Sequence, residues 1–115
     1  MKLLTAGLRR KLPPLYAVDR GTAEPIAQVK FFTPWTSWTW YAMEFDGEDI
    51  FFGLVDGIEL EFGYFSLSEL ESIRGPGGLR IERDLYFQPQ GVHELHRRLD
   101  EQRRPSRPVR EGRER

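Results

Sequence analysis

Two acidic, glycine-bearing turns punctuate the middle of this chain and leave it few ways to fold. Trp38 to Phe45, Ile50 to Val55 and Ile58 to Phe65 are strand-like runs, joined by Asp46-Gly47-Glu48-Asp49 and by Asp56-Gly57. Apolar runs separated by Asp-Gly connections read as antiparallel hairpins, and a two-residue Asp-Gly loop favours a type I′ turn. The expected product is a three-stranded meander. In its last strand Ile58, Leu60, Phe62 and Tyr64 share one face while Glu59 and Glu61 take the other, so one side packs and the other meets water. In its first strand Thr39, Tyr41, Met43 and Phe45 oppose Trp38, Trp40, Ala42, Glu44 and Asp46. With the second set outward, the sheet presents indole rings bordered by carboxylates.

The flanking segments supply helices. Thr5 reads as the N-cap of a short helix carrying Leu4, Leu8 and Leu12, ended by Pro13-Pro14. Ile26 to Phe32 is a further β-favouring run, and Thr33-Pro34-Trp35-Thr36-Ser37 has the composition of a connection. Ser66-Leu67-Ser68-Glu69 fits a capping box ahead of Leu67, Leu70 and Ile73, with Gly75-Pro76-Gly77-Gly78 as the stop. Leu79 to Phe87 reads as one helical turn followed by an extended Leu85-Tyr86-Phe87. Pro89 and Gly91 then precede a helical stripe of Val92, Leu95 and Leu99. From Arg103 onward the many charges offer almost nothing to offset ordering entropy. The expectation is α+β: one domain over residues 1–102, with a twisted antiparallel sheet of about four strands packing one face on flanking short helices. Residues 103–115 are expected to form a disordered basic tail.

The formal net charge of −1 hides an asymmetry. From Phe31 to Ile73 there is no lysine or arginine, while Glu44, Asp46, Glu48, Asp49, Asp56, Glu59, Glu61, Glu69 and Glu71 all fall there, together with Trp35, Trp38 and Trp40. An acidic, aromatic sheet repels nucleic acid and attracts basic partners. The absence of cysteine removes disulfides, zinc thiolate sites and thiol catalysis, and agrees with a reducing compartment. No run approaches the roughly 20 apolar residues that span a bilayer. Met1-Lys2-Leu3-Leu4 runs into Arg9-Arg10-Lys11 without the apolar stretch of a secretory signal. The expected location is cytoplasmic.

Each chemical candidate has a plainer reading beside it. His93 and His96 flank Glu94 at i, i+3, one residue short of the spacing that places two zinc ligands and a base on one helix face; two solvated histidines are the commoner case. Asp46, Glu48 and Asp49 around Gly47 resemble a cation loop only in charge, since calcium takes six to eight oxygens at a longer, regular spacing. Arg74-Gly75-Pro76-Gly77-Gly78 lacks the Gly-Lys-Ser/Thr ending of a phosphate loop and reads as a helix stop. Glu82, Arg83 and Asp84 offer acid/base groups without a visible nucleophile, and no Gly-x-Ser-x-Gly occurs. The expectations are therefore no metal, no cofactor and no catalysis. Most aromatic residues are needed for the core, whereas Trp35, Trp38 and Trp40 are candidates for a partner surface.

Several runs carry a family resemblance: Lys30-Phe31-Phe32-Thr33-Pro34, Trp38-Thr39-Trp40-Tyr41-Ala42, Glu44-Phe45-Asp46-Gly47-Glu48-Asp49, Phe51-Phe52-Gly53-Leu54-Val55, Gly63-Tyr64-Phe65-Ser66-Leu67-Ser68-Glu69-Leu70 and Glu82-Arg83-Asp84-Leu85-Tyr86-Phe87. Over roughly Met1 to Pro89 the chain resembles the small family called domain of unknown function 2958, and from about Gly91 it departs from the shared pattern. The resemblance implies carriage by plasmids and integrative elements, in neighbourhoods that also hold anti-restriction genes, and it brings no catalytic residues to transfer.

Three functional classes follow. The first is a non-enzymatic inhibitor or adaptor that docks Trp35, Trp38, Trp40, Glu44, Glu59 and Glu61 on a basic partner, such as a host defence nuclease or a CRISPR component. The second binds nucleic acid through Arg103, Arg104, Arg107 and Arg110, with Arg9, Arg10 and Lys11 in support. The third and least favoured is a small hydrolase using Glu82, Asp84 and the glycine loop.

Overall fold

The structure is a computed structural model, in which residues 1–105 are described. The chain order is α1 (Ala6–Lys11), β1 (Ile26–Ala27), β2 (Val29–Phe32), β3 (Thr39–Phe45), β4 (Ile50–Asp56), β5 (Leu60–Ser66), α2 (Leu67–Ser72), β6 (Glu82–Arg83), β7 (Gln90–Gly91) and α3 (Val92–Arg103). An antiparallel sheet ordered β5-β4-β3-β2-β6 forms the centre, and β1 pairs with β7 in a separate two-stranded ladder. The expected α+β architecture and its meander are present. The sheet has one strand more than expected, because Glu82 and Arg83 extend along Phe31 and Phe32. No helical turn forms at that position. The Arg83 guanidinium donates to the carbonyls of Lys2 and Leu3, and the N–H of Asp84 donates to the Lys30 carbonyl at 2.9 Å. These are partners some fifty to eighty positions away in sequence, invisible to local periodicity.

Both faces of the sheet are covered over its central strands, with β5 left more open, which corrects the expectation of one packed and one wet face. On the first face Val29, Phe31, Trp40, Ala42, Phe51 and Phe65 pack under Leu3, Leu4, Leu12, Leu67, Leu70 and Ile81. On the second, Ala27, Tyr41, Met43 and Leu54 pack under Val92, Leu95 and Leu99 of α3. A central strand buried on both faces loses simple alternation, and β3 is buried from Trp40 to Phe45 without a break. The register also shifts between Ala42 and Glu44. Met43 is the extra residue of this bulge, and it changes the phase of every side chain after it.

The β4–β5 connection differs from the two-residue turn expected. Asp56 pairs with Leu60, leaving Gly57, Ile58 and Glu59 as a three-residue loop closed by Gly57 N–H to the Glu59 carbonyl at 3.0 Å. Gly57 is not among the glycines with positive φ. Its reason is space: a Cβ there would lie 2.3 Å from the Trp38 ring. Ile58 stands at the loop tip, 83% exposed, outside the strand face assigned to it.

The helices start where the sequence places them. Thr5 Oγ1 accepts from Leu8 N–H at 3.2 Å, and Ser66 Oγ accepts from Glu69 N–H at 3.2 Å. Asp49 completes the α2 cap from across the sheet. Its carboxylate accepts from Ser66 Oγ at 2.6 Å, Ser68 N–H at 2.8 Å and Ser68 Oγ at 2.9 Å. The stop after α2 is a small loop in which Arg74 bridges Arg80 and Gly77 and Gly78 hold φ of 66° and 79°. No described helix is long and apolar enough to cross a membrane.

Candidate docking face

The nine carboxylates of the cation-free window separate into those used by the fold and those left to solvent. Glu44 belongs to the first group. It is 3% exposed, and its two oxygens accept the backbone N–H groups of Tyr16 at 2.9 Å and Val18 at 3.0 Å. The bulge at Met43 turns this side chain inward, so Glu44 is a structural acceptor and not the surface charge expected. Its hydrogen bonds hold the loop in which Tyr16 adopts φ 70°, the one non-glycine residue with positive φ among those described.

Asp46 and Asp49 are turn and cap acceptors. Asp46 Oδ1 takes the N–H groups of Glu48, Asp49 and Ile50 at 2.8, 2.8 and 3.0 Å. These backbone donors hold its pKa below the usual carboxylate range, and the Ser66 hydroxyl and the Ser68 N–H do the same for Asp49. With those oxygens engaged, the Asp46–Asp49 stretch is hydrogen-bonded turn chemistry. Asp56 pairs with Arg103, which also donates to the carbonyls of Gly57 and Ile58.

Five carboxylates remain: Glu48, Glu59, Glu61, Glu69 and Glu71. All are exposed, and none makes an ion pair within 4.0 Å among the described residues.

The tryptophans also divide. Trp40 is 8% exposed and belongs to the core, a correction to its assignment as a surface anchor. Trp38 lies 5.7 Å from Trp40, half-buried against Gly57, and Trp35 is half-buried against Gly75, where a Cβ would come within 2.4 Å of its ring. Each indole is fixed by a glycine from another part of the chain.

Strand register places Phe31, Trp40, Val55 and Glu61 in one row across the first face. The next row is Val29, Ala42, Gly53 and Gly63. Nothing lies within 4 Å of where a Gly63 side chain would begin. Val29, Ala42 and Gly53 of that row are buried, and Gly53 leaves room for the Tyr41 carbonyl, 1.9 Å from where a Cβ would stand. Between β5 and α2 a cleft of about 340 Å³ is lined by Trp40, Phe65, Glu69, Leu70 and Ile73, among others. Trp40, though 8% exposed, thus lines a surface it does not dominate. Glu69 lines the cleft from α2, and Glu61 stands exposed on β5. Sequence reading missed Phe65, Glu69 and Ile73, which the packing of α2 against β5 brings together.

The profile of the family described as "Protein of unknown function (DUF2958)" matches residues 3–103. The chain belongs to that family. The match runs through α3, so the family pattern extends past Gly91, where the sequence reading placed a departure. No curated protein matches the chain, and no solved structure matches it.

The other candidates have structural partners. His96 stacks on Phe62 at 5.8 Å with the rings 10° apart, while His93 is exposed. No group of three or more His, Asp or Glu poised for a metal occurs among the described residues. Asp84 pairs with Lys30 at 3.5 Å and accepts from Tyr86 N–H at 2.9 Å. Arg74 and Arg80 donate to the Glu71 carbonyl at the end of α2. Arg103 lies within α3, one residue past the domain boundary read from sequence, and Arg104 pairs with Asp100 at 3.1 Å. Arg107 and Arg110 lie outside the described residues.

Proposed function

We propose that this protein is a non-enzymatic binding protein that docks a basic surface of a partner protein on the first sheet face, through Glu59, Glu61, Glu69, Trp38 and the cleft beside Trp40. The observation that carries this reading is the division of the acidic window. Its fold-bearing carboxylates have partners, while Glu59, Glu61 and Glu69 stand exposed and unpaired among the described residues, Glu69 lining an apolar cleft. Carboxylates around an apolar recess steer a cationic partner and then offer it desolvated contact. The plasmid and integrative-element setting implied by the resemblance favours a nucleic-acid-binding defence enzyme, a restriction or CRISPR component, as partner. Such an enzyme carries a groove built for negative charge. We place the protein in the cytoplasm, where such enzymes act.

The test is capture from host cytoplasm, followed by association kinetics with the retained protein across salt concentrations. The expected result is that Glu61→Gln with Glu69→Gln slows association and flattens its salt dependence, while dissociation changes little. Unchanged association of the folded double variant from low to moderate salt would remove this face from consideration.

A further inference from the structure

The free edge of the sheet has a phase that the hydrogen bonds fix. Leu67 N–H donates to the Asp49 carbonyl at 2.8 Å, and Gly57 N–H donates to the Glu59 carbonyl at 3.0 Å, one bond at each end of the β4–β5 ladder. The register between them is unbroken from Ile50↔Ser66 to Asp56↔Leu60. In an antiparallel ladder bonded pairs alternate with pairs whose N–H and C=O groups point away. Glu61, Gly63 and Phe65 are therefore bonded to β4, and the backbone groups of Leu60, Phe62 and Tyr64 point outward. No other described residue pairs with this edge.

The two sides of the edge differ. Phe62 and Tyr64 are 41% and 55% exposed and belong to an aromatic array, with Phe52 at 6.1 Å and 5.1 Å from them and His96 stacked on Phe62. The opposite side carries Glu61 and the open Gly63 position, with Glu59 just before the strand. A long edge with unpaired backbone invites pairing, and inward-lying charge on it discourages pairing with a like copy.

We infer that β5 is a strand-addition site that takes an extended segment of a partner protein with alternating apolar and basic side chains. Residues opposite Leu60, Phe62 and Tyr64 fall on the aromatic side and should be apolar; those between fall beside Glu61 and Glu59 and should be Lys or Arg. This inference rests on the docking reading above and specifies how the partner is gripped. Two copies of this chain would set Glu61 near Glu61, which favours a basic stranger over self-pairing.

The test uses the full chain and three synthetic peptides. One alternates Val with Arg over eight residues, one has the same composition with the arginines in a block, and one is the alternating peptide N-methylated at every second residue. The expected result is binding of the alternating peptide with new hydrogen-exchange protection at the Leu60, Phe62 and Tyr64 amides, and a loss of about tenfold or more for the other two. Phe62→Pro removes an outward N–H that β4 does not use, so it should keep the fold and lose the peptide. Equal binding of all three peptides would overturn strand addition while leaving charge-driven docking in place. Binding of none would overturn it too, with the docking reading still judged by the Glu61 and Glu69 variants. Protection of the three amides in the free protein would show the edge already occupied and would also overturn the inference.

Discussion

Gly57 lies flat against the six-membered ring of Trp38, with Cζ3 at 2.3 Å from where a Cβ would stand. The glycine comes from the β4–β5 loop and the indole from the start of β3, so this contact fixes one hairpin against the other. Gly57→Ala is expected to destabilise by about 1–3 kcal/mol through overpacking. Combined with Trp38→Leu, the loss should be smaller than the sum of the two single losses, because both changes act on one contact. Urea unfolding of the four proteins in the cycle measures it; strict additivity would place the origin of the Gly57 effect elsewhere.

Glu44 tests the distinction between a surface charge and a structural acceptor. Glu44→Ala leaves two N–H groups, of Tyr16 and Val18, without their acceptor and should cost about 1–3 kcal/mol. Glu44→Gln retains one acceptor oxygen and should lie between the two proteins in denaturant midpoint. Neither change should alter the salt dependence of partner association, unlike Glu61→Gln.

Acid should act through Asp46 and Asp49. Their pKa values in the fold lie below the ordinary value of 3.8, so the unfolded chain takes up protons first as pH falls. The stability they contribute is present above the unfolded value and is lost as pH drops through the folded one. Melting temperature should therefore fall steeply below about pH 4, and the fall should be shallower in Asp49→Asn, which begins from a lower plateau. Parallel curves for the two proteins would contradict this account.

Arg103 is an anchor, distinct from the tail that follows it. Ending the chain after residue 105 keeps its pairing with Asp56 and the loop carbonyls, and thermal unfolding should stay cooperative. Arg103→Ala should lower stability by about 0.2–1 kcal/mol and speed amide exchange at Gly57, Ile58 and Glu59. Unchanged exchange at that loop would show that the anchor is not formed in solution.

The parts of the fold legible in sequence are those whose causes are local. Thr5 and Ser66 cap helices with their own side chains, and Val92, Leu95 and Leu99 repeat at helical spacing. The Asp-Gly connections announced hairpins. What escaped was decided across the fold. Periodicity places Trp40 and Glu44 together on an outward face, and a strand buried on both sides with one extra residue at Met43 overrides that pattern. Gly57 read as turn chemistry because its true neighbour, Trp38, is nineteen positions away. Glu82 and Arg83 became a strand through β2 and the N-terminal carbonyls. Of the candidate face, Glu59, Glu61 and Trp38 could be named from sequence, whereas Glu69 and the cleft depended on where α2 comes to rest.

The two ends of the described chain are fastened at opposite borders of the sheet. Arg83 on β6 grips the carbonyls of Lys2 and Leu3, while Arg103 grips the tip that leads into β5. A tether attached ahead of Met1 would leave the acidic border pointing toward solution, and one joined directly to the end of α3 would crowd it. Fusion proteins and immobilised surfaces made with this domain are thus not interchangeable: the choice of terminus decides whether the docking border is displayed or screened.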